Sequence, residues 1–365
     1  MTLNGDLSAI SVWANKWFIN LNEQKTTSMK ITRSNVETNC PLYLNNHVIS
    51  ETDSHKHLGI TLSRNGSWDH HVDNIYIQAM KRVDCLRGMK YILDRKQLEK
   101  LYFTFIRPIL EYGDILWDNC SVAAANKLER VQHEAARIVV GAPQNVSLKL
   151  LYKEIKWQPL RVRRERHKLV QIYKIVNGLT PAYLRERIPP GIEHDHATRY
   201  SNNIPMLFPS SVQRTTSFFP SAIRSFNNLD PLVKDSPSIS SFKSKLQSQD
   251  ECTPAYFSGG NRKAQIHHAR IRMNCSLLNH DMYKCKLVNS PLCKCGVASE
   301  TASHYFLKCD LYSIVRSELF DVLSTFVQTE ITVQLLLFGD ERQNYSFNKS
   351  LFNHVETFIL KSKRF

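Results

Sequence analysis

The sequence runs to 365 residues, 42% hydrophobic and 22% charged, with 48 Lys and Arg against 33 Asp and Glu and a formal net charge of +15. That composition excludes wholesale disorder, the length calls for two or three structural units, and the cationic excess points to nucleic acid as the first partner to consider. A membrane is excluded as a partner, because no run approaches eighteen apolar residues and the N-terminus lacks a basic-then-apolar signal pattern. Nine cysteines, an odd number at irregular spacing, fit a reducing compartment (cytoplasm or nucleus) and no disulfide framework.

The first 70 residues read as one helix feeding a small antiparallel sheet. Leu7, Ile10, Trp13, Ala14 and Trp17 recur at helical spacing, and two tryptophans four residues apart on one face suggest core packing before a stacking platform. Asn22 and Lys25 close that segment, and Met29 to Ile31 begin to alternate. Leu42 to Leu44 and His47 to Ile49 flank Asn45-Asn46, a pair that tolerates positive φ in a two-residue hairpin turn. Leu58, Ile60 and Leu62 alternate again about Gly59.

Residues 71–188 read as a helical bundle. Val72, Ile75, Ala79, Val83 and Leu86 mark one helix, and Leu98, Leu101, Tyr102 and Phe105 mark a second, which Pro108 should kink or interrupt. A third spans 123–140, burying Leu128, Val131, Ala135, Ile138 and Val139, with Gly141 as its stop. From Lys149 to Arg187 there are eleven Lys or Arg and three Glu, a local +8. Arg161, Arg163, Arg164, Arg166 and Lys168 precede the apolar Val170, Ile172, Tyr173 and Val176, so a helix with one apolar side presents a dense basic one. Phosphate contacts are its natural use, and a solvated face is the alternative.

Eight of the fourteen prolines fall in 189–260, which reads as a Pro/Ser-rich connector, although Phe218, Phe219, Ile223, Phe226 and Leu229 are too apolar for a free tether. Residues 261–365 return to helices and turns through His267, His268, Arg270 and Arg272. Leu307, Leu311, Ile314, Leu319 and Val322 suggest a helix carrying His304 and Cys309 near its start, and Lys361, Lys363 and Arg364 form a basic end. The expected fold class is mainly α, with a small antiparallel β region near the N-terminus.

Within the last region lies Cys293-Lys294-Cys295-Gly296, followed after eight residues by His304 and after four more by Cys309. Three thiols and an imidazole form a closed tetrahedral set of the kind Zn²⁺ takes, although the first pair is tighter than the usual two-to-four-residue gap. The alternative is a few reduced thiols in a helical protein. If zinc binds, four protein ligands leave no open position for a reactive water, so the cluster reads as scaffold rather than active site. No Gly-rich phosphate loop is present.

Taken together, several strings resemble a known family. Trp13-Ala14-Asn15-Lys16-Trp17, Asn22, Lys25-Thr26, His57-Leu58-Gly59-Ile60, Trp68 and His71 are similar to the part of a non-LTR retrotransposon reverse transcriptase just after its catalytic strand. Arg107-Pro108-Ile109-Leu110-Glu111-Tyr112-Gly113, Trp117, Leu128-Glu129, Val131-Gln132 and Ala135-Ala136-Arg137 resemble the thumb that follows in Jockey-like elements. Leu160 with Arg163-Arg164, Phe226-Asn227-Asn228-Leu229, the cysteine cluster with Glu300-Thr301, and Arg364-Phe365 continue the likeness over nearly the whole chain.

The resemblance implies a palm remnant over 1–70, a thumb with a basic helix over 71–188, and a zinc-bearing tail over 261–365. Lys25 would be a palm lysine beside the active site, or simply an exposed lysine. Leu58, Gly59 and Ile60 would form a primer-grip-like hairpin, and the cysteine cluster a structural or nucleic-acid-binding zinc site. The family's metal-binding carboxylates include a Tyr-x-Asp-Asp box upstream of this region, and this chain has no Asp-Asp pair. Two-metal phosphoryl transfer needs such carboxylates to hold Mg²⁺, so Mg²⁺ is expected only in a full-length enzyme. The implied function is a truncated RNA-directed DNA polymerase that binds RNA and DNA, supports target-primed reverse transcription and pairs with the missing fingers and palm, without polymerising alone. An independent zinc-dependent nucleic-acid-binding protein, or an inactive product of a decayed element, are the alternatives.

Overall fold

The computed structural model describes residues 2–31, 41–190, 203–208, 212–247 and 253–365. Helix α1 (Leu3–Lys16) buries only Ala14, and Trp13 and Trp17 remain 55% and 61% exposed. The expectation of core packing is therefore corrected. The apolar stripe exists, but the helix is held mainly through Asn4, which bonds the Pro41 carbonyl and the Tyr43 amide at 3.0 Å each. Lys25 is exposed at the end of the one-turn 3₁₀ segment Glu23–Lys25, capped by the Asn22 side chain.

Six short strands follow: β1 (Thr27–Ser28), β2 (Tyr43–Leu44), β3 (His47–Val48), β4 (Ser50–Glu51), β5 (Ser54–His57) and β6 (Ile60–Ser63). They form three separate pairs. The β2–β3 hairpin turns through Asn45 and Asn46, both at positive φ as a type I′ turn requires. The β5–β6 hairpin turns through Leu58 and Gly59 in the same way. The expected antiparallel region needs one correction, since β1 pairs with β4 in parallel.

The bundle comprises α2 (Asp69–Gly88), α3 (Arg95–Leu101), a π-helical turn Tyr102–Ile106, α4 (Arg107–Glu111), α5 (Asp114–Trp117), α6 (Val122–Val140), α7 (Leu148–Ile155), α8 (Leu160–Val176) and α9 (Ala182–Arg185). All five stripe residues expected on each of α2 and α6 are buried. Ser121 caps α6 and Gly141 ends it at φ +75°. Gly141 is also pressed against the later helix Arg262–Arg272, where an added Cβ would lie 2.6 Å from Ile266. Pro108 has no N–H to give the preceding turn. The chain meets this by widening into the π turn and restarting at α4, which puts Ile106 in the core and leaves Phe105, expected on the buried stripe, exposed.

Within the described part of 189–260, α10 (Val212–Thr216) leads into α11 (Phe218–Asn227), and α11, α12 (Pro231–Lys234) and α13 (Ile239–Gln247) share a core with the C-terminal half of α8. Tyr173 stacks on Phe242 at 4.3 Å there.

The last region holds α14 (Arg262–Arg272), α15 (Asn279–Lys284), α16 (Ser313–Leu323), α17 (Val333–Phe338) and α18 (Tyr345–Lys361) around a core that includes Phe257, Tyr305, Phe306, Leu336, Phe352 and Phe358. Helix α14 joins two cores, because Ala269 and Met273 belong to that of the bundle. The helix expected across 307–322 is broken. A π turn and a 3₁₀ turn precede α16, so Leu319 and Leu323 are buried while Leu311 and Ile314 face outward. Among the described residues no helix is long and apolar enough to cross a membrane.

Candidate functional site

Three groups of residues carry chemistry. The first is the β5–β6 hairpin. Its tip exposes Leu58, whose carbonyl accepts a 2.8 Å bond from the Tyr112 hydroxyl, and a Cβ on Gly59 would come within 3.1 Å of the Tyr112 ring. Ile60 is buried against Gly113, where an added Cβ would clash at 2.8 Å. The hairpin is thus fastened to the Arg107-to-Gly113 string. Beside it lies a cavity of about 530 Å³ lined by residues that include Lys56, Thr61, His71, Asn74 and Tyr112. His71 Nδ1 accepts from the Thr61 amide at 3.2 Å, so the proton sits on Nε2, which is buried without a partner among the described residues. Burial, then His70 and Lys56, pull His71 below its ordinary value and keep it neutral. Asn74 and Lys56 belong to no motif, and only the folded hairpin brings them to the cavity.

The second group is α8, where the five expected basic residues do not share one surface. Arg164 and Lys168 are buried. Arg164 Nε lies 3.4 Å from Asp118 and Lys168 Nζ 2.8 Å from both Asp118 and Glu165. Burial works against the Lys168 charge, but these two carboxylates raise its pKa, so it stays protonated. Arg163 is paired with Glu111, and Arg166 bonds Gln158. Arg161 is exposed, its amide held by Glu129 at 2.8 Å. His167, adjacent to these, bonds the buried Asp114 at 2.6 Å.

The third is the cysteine cluster. Gly296 at φ +76° lets the chain fold back after Cys295, with the Gly296 amide on the Cys293 carbonyl (2.9 Å) and the Cys293 amide on the Ala298 carbonyl (2.8 Å). The π turn His304–Lys308 then brings His304 and Cys309 to the same place. All four donor atoms lie within 4.8 Å of one another, with Cys293 Sγ to Cys309 Sγ at 3.5 Å and Cys295 Sγ to His304 Nε2 at 3.2 Å. Sulfurs at ~2.3 Å from a tetrahedral ion would be about 3.8 Å apart, so the donor set fits a metal such as zinc. A bond from the Val297 amide brings the Cys295 thiol down to about 7, whereas burial pushes Cys309 up to about 12.

Glu300 and Arg364 back the cluster. Arg364 grips the fully buried Glu300 through Nε (2.6 Å) and Nη2 (2.7 Å), and Glu300 also accepts from the Asn279 amide. Phe365 stacks on His267 at 4.7 Å.

Fold and sites together define a largely helical, strongly basic chain with, among the described residues, one preformed Cys/His group. No family model matches the chain. It is similar to the RNA-directed DNA polymerase from mobile element jockey of Drosophila melanogaster, 28% identical over 156 residues, which is 41% of this chain and 17% of that protein. The polymerase assigned to transposon BS of the same species is 23% identical over 168 residues (44% and 18%), and that from jockey of Drosophila funebris 27% over 143 residues (38% and 15%). About 40% of the chain is therefore homologous to RNA-directed DNA polymerases of Jockey-like and other non-LTR elements, and the matched stretches span less than a fifth of each relative's length.

Proposed function

We propose that this chain is the part of a non-LTR element reverse transcriptase that follows the catalytic strand, and that it binds template-primer nucleic acid without polymerising alone. The relationship to RNA-directed DNA polymerases carries this reading. The absence of any Asp-Asp pair supports the second half, since among the described residues no carboxylate cluster stands in for those that hold two catalytic metals. Residues 1–70 act as a palm remnant, with Lys25 exposed and the Leu58-Gly59-Ile60 tip gripping the primer. Residues 71–188 are the thumb. Its contact with phosphates is made by the outward basic side chains of α8, Arg161 foremost, while Arg164 and Lys168 brace α8 from inside.

Residues 261–365 hold a structural zinc through Cys293, Cys295, His304 and Cys309. The ion fixes the fold there and supplies no open coordination position. Partners are the element's RNA and a primed DNA site, in cytoplasm and nucleus, together with the fingers and palm of a longer enzyme.

Fluorescence anisotropy with a primed RNA/DNA hybrid tests binding. Affinity should fall steeply between low and moderate salt, and salt-independent or undetectable binding would sink the reading. In a primer-extension assay with Mg²⁺, no incorporation above a matched blank is expected.

A further inference from the structure

Where α7, α14, α17 and the 3₁₀ turn Ala255–Ser258 meet, there is a cavity of about 410 Å³ whose lining includes Lys153, Tyr256, Arg272, Asn274 and Glu341. The charged residues of the lining are Lys153, Lys156 and Arg272 against Glu154 and Glu341, a formal excess of one positive charge. The single carboxylate of Glu154 faces two guanidiniums, accepting from Arg95 Nη1 and from Arg272 Nε (3.0 Å) and Nη2 (2.7 Å), and all three side chains are buried. Arg262, in the same seam, bonds the carbonyls of Lys90 and Ile138 and pairs with no acid among the described residues. Glu356, the other buried acid there, is pushed up to about 8 by its burial and is largely neutral at pH 7. Arg272 stacks on the Phe257 ring at 4.0 Å, and its Nη1, which makes no bond to Glu154, is buried with no hydrogen-bond partner among the described residues. A buried cation with an open donor edge is costly until an acceptor reaches it. At the rim, Lys153 is exposed and enters no ion pair among the described residues.

We infer that this cavity binds one phosphate-bearing nucleotide unit, with the phosphate between Arg272 and Lys153. The anion follows from the unpartnered Arg272 nitrogen and the exposed Lys153 beside it, which together leave the lining one positive charge in excess. The nucleotide rests on the nucleic-acid reading above and on a volume within the range of small-molecule pockets, larger than a bare phosphate needs. Its source is either a unit of a single strand or a free mononucleotide.

The test uses the whole chain and three probes: inorganic phosphate, AMP, and a twelve-residue oligo(A) RNA, with a primed RNA/DNA hybrid as reference. The variants Lys153→Glu and Asn274→Glu change exposed positions, and circular dichroism and zinc content check that each is folded. Wild type should bind AMP more tightly than phosphate, and Lys153→Glu should weaken AMP and oligo(A) binding about tenfold while hybrid affinity stays within about twofold. Competition by oligo(A) at micromolar concentration makes a strand the source, and its failure to compete makes a free nucleotide the source. Unchanged AMP and oligo(A) affinity in both folded variants, or no binding of either probe by wild type, overturns the inference. A wild type that binds AMP but not the hybrid overturns the template-primer reading and leaves the cavity assignment standing.

Discussion

Glu154 and Glu356 lie in one buried seam and respond to it in opposite directions. Burial would push Glu154 up, but Arg272 and Arg95 outweigh it and hold the carboxyl below its ordinary value. Its contribution to stability is therefore complete above the ordinary carboxylate range and is lost as pH falls through the lowered value. Glu154→Gln should cost about 3–5 kcal/mol at pH 7 by leaving two guanidiniums without their acid, and the gap from wild type should narrow as the solution is acidified. Glu356 has one amide donor, from Asn261 at 3.1 Å, and burial raises it from 4.5 to about 8. The folded chain thus holds a proton that the unfolded chain releases, and stability drops as pH rises from 4.5 towards 8. Glu356→Gln keeps an acceptor for Asn261 and has no proton to lose. Its advantage over wild type should be near zero at pH 4.5 and grow to a few kcal/mol at pH 8, at roughly 1.4 kcal/mol for each pH step of one across that window. Urea unfolding of both variants at three pH values checks the signs, and a Glu356→Gln effect that does not vary with pH would refute this assignment.

At the scale of elements, the β5–β6 hairpin depends on one glycine and one tyrosine. Gly59 sits at φ +84° with the Tyr112 ring against it, so Gly59→Ala should cost about 1–2 kcal/mol from the left-handed backbone alone. Tyr112→Phe removes the bond to the Leu58 carbonyl and should cost about 1 kcal/mol. Hydrogen exchange should show both losses first in the amides of 54–63, and uniform loss across α2 and α6 would contradict a local role for the tip. Elements of this kind were legible because their signals are local: Asn45-Asn46 for a turn, Gly141 for the end of α6, five apolar positions for the buried face of α2. Where the reading erred, the deciding partner was remote. Periodicity shows that Trp13 and Trp17 share a face and cannot show whether anything covers it. Counting charges from Lys149 to Arg187 finds few acids, because apart from Glu165 the acids that pair with α8 side chains, Glu111, Asp114 and Asp118, lie about fifty residues upstream.

At the scale of the whole molecule, the four cluster residues were readable from their chemistry, but what anchors them was not. Glu300 and Arg364 are 64 residues apart in sequence and meet only after α18 crosses the module. The cluster is therefore linked through Arg364 and Phe365 to α14, and α14 places Ala269 and Met273 in the bundle core. With a zinc ion bound, this arrangement separates two kinds of damage. Cys309→Ser removes a buried ligand, so zinc content should fall well below one per chain, and exchange protection should collapse over 293–323. A structural zinc is worth ~10–16 kcal/mol in small peptides, more than the local packing of that segment can replace. The bundle should keep its protection, since Leu98, Leu128 and Val131 lie in a separate core. Arg364→Ala leaves all four ligands but releases Glu300 behind them, so zinc should still bind, with affinity reduced about 10-fold or more by the loss of orientation. Metal analysis after purification and competition with a chelator read the two effects. Unchanged zinc content in Cys309→Ser would remove the metal site, and unchanged affinity in Arg364→Ala would remove only its anchor.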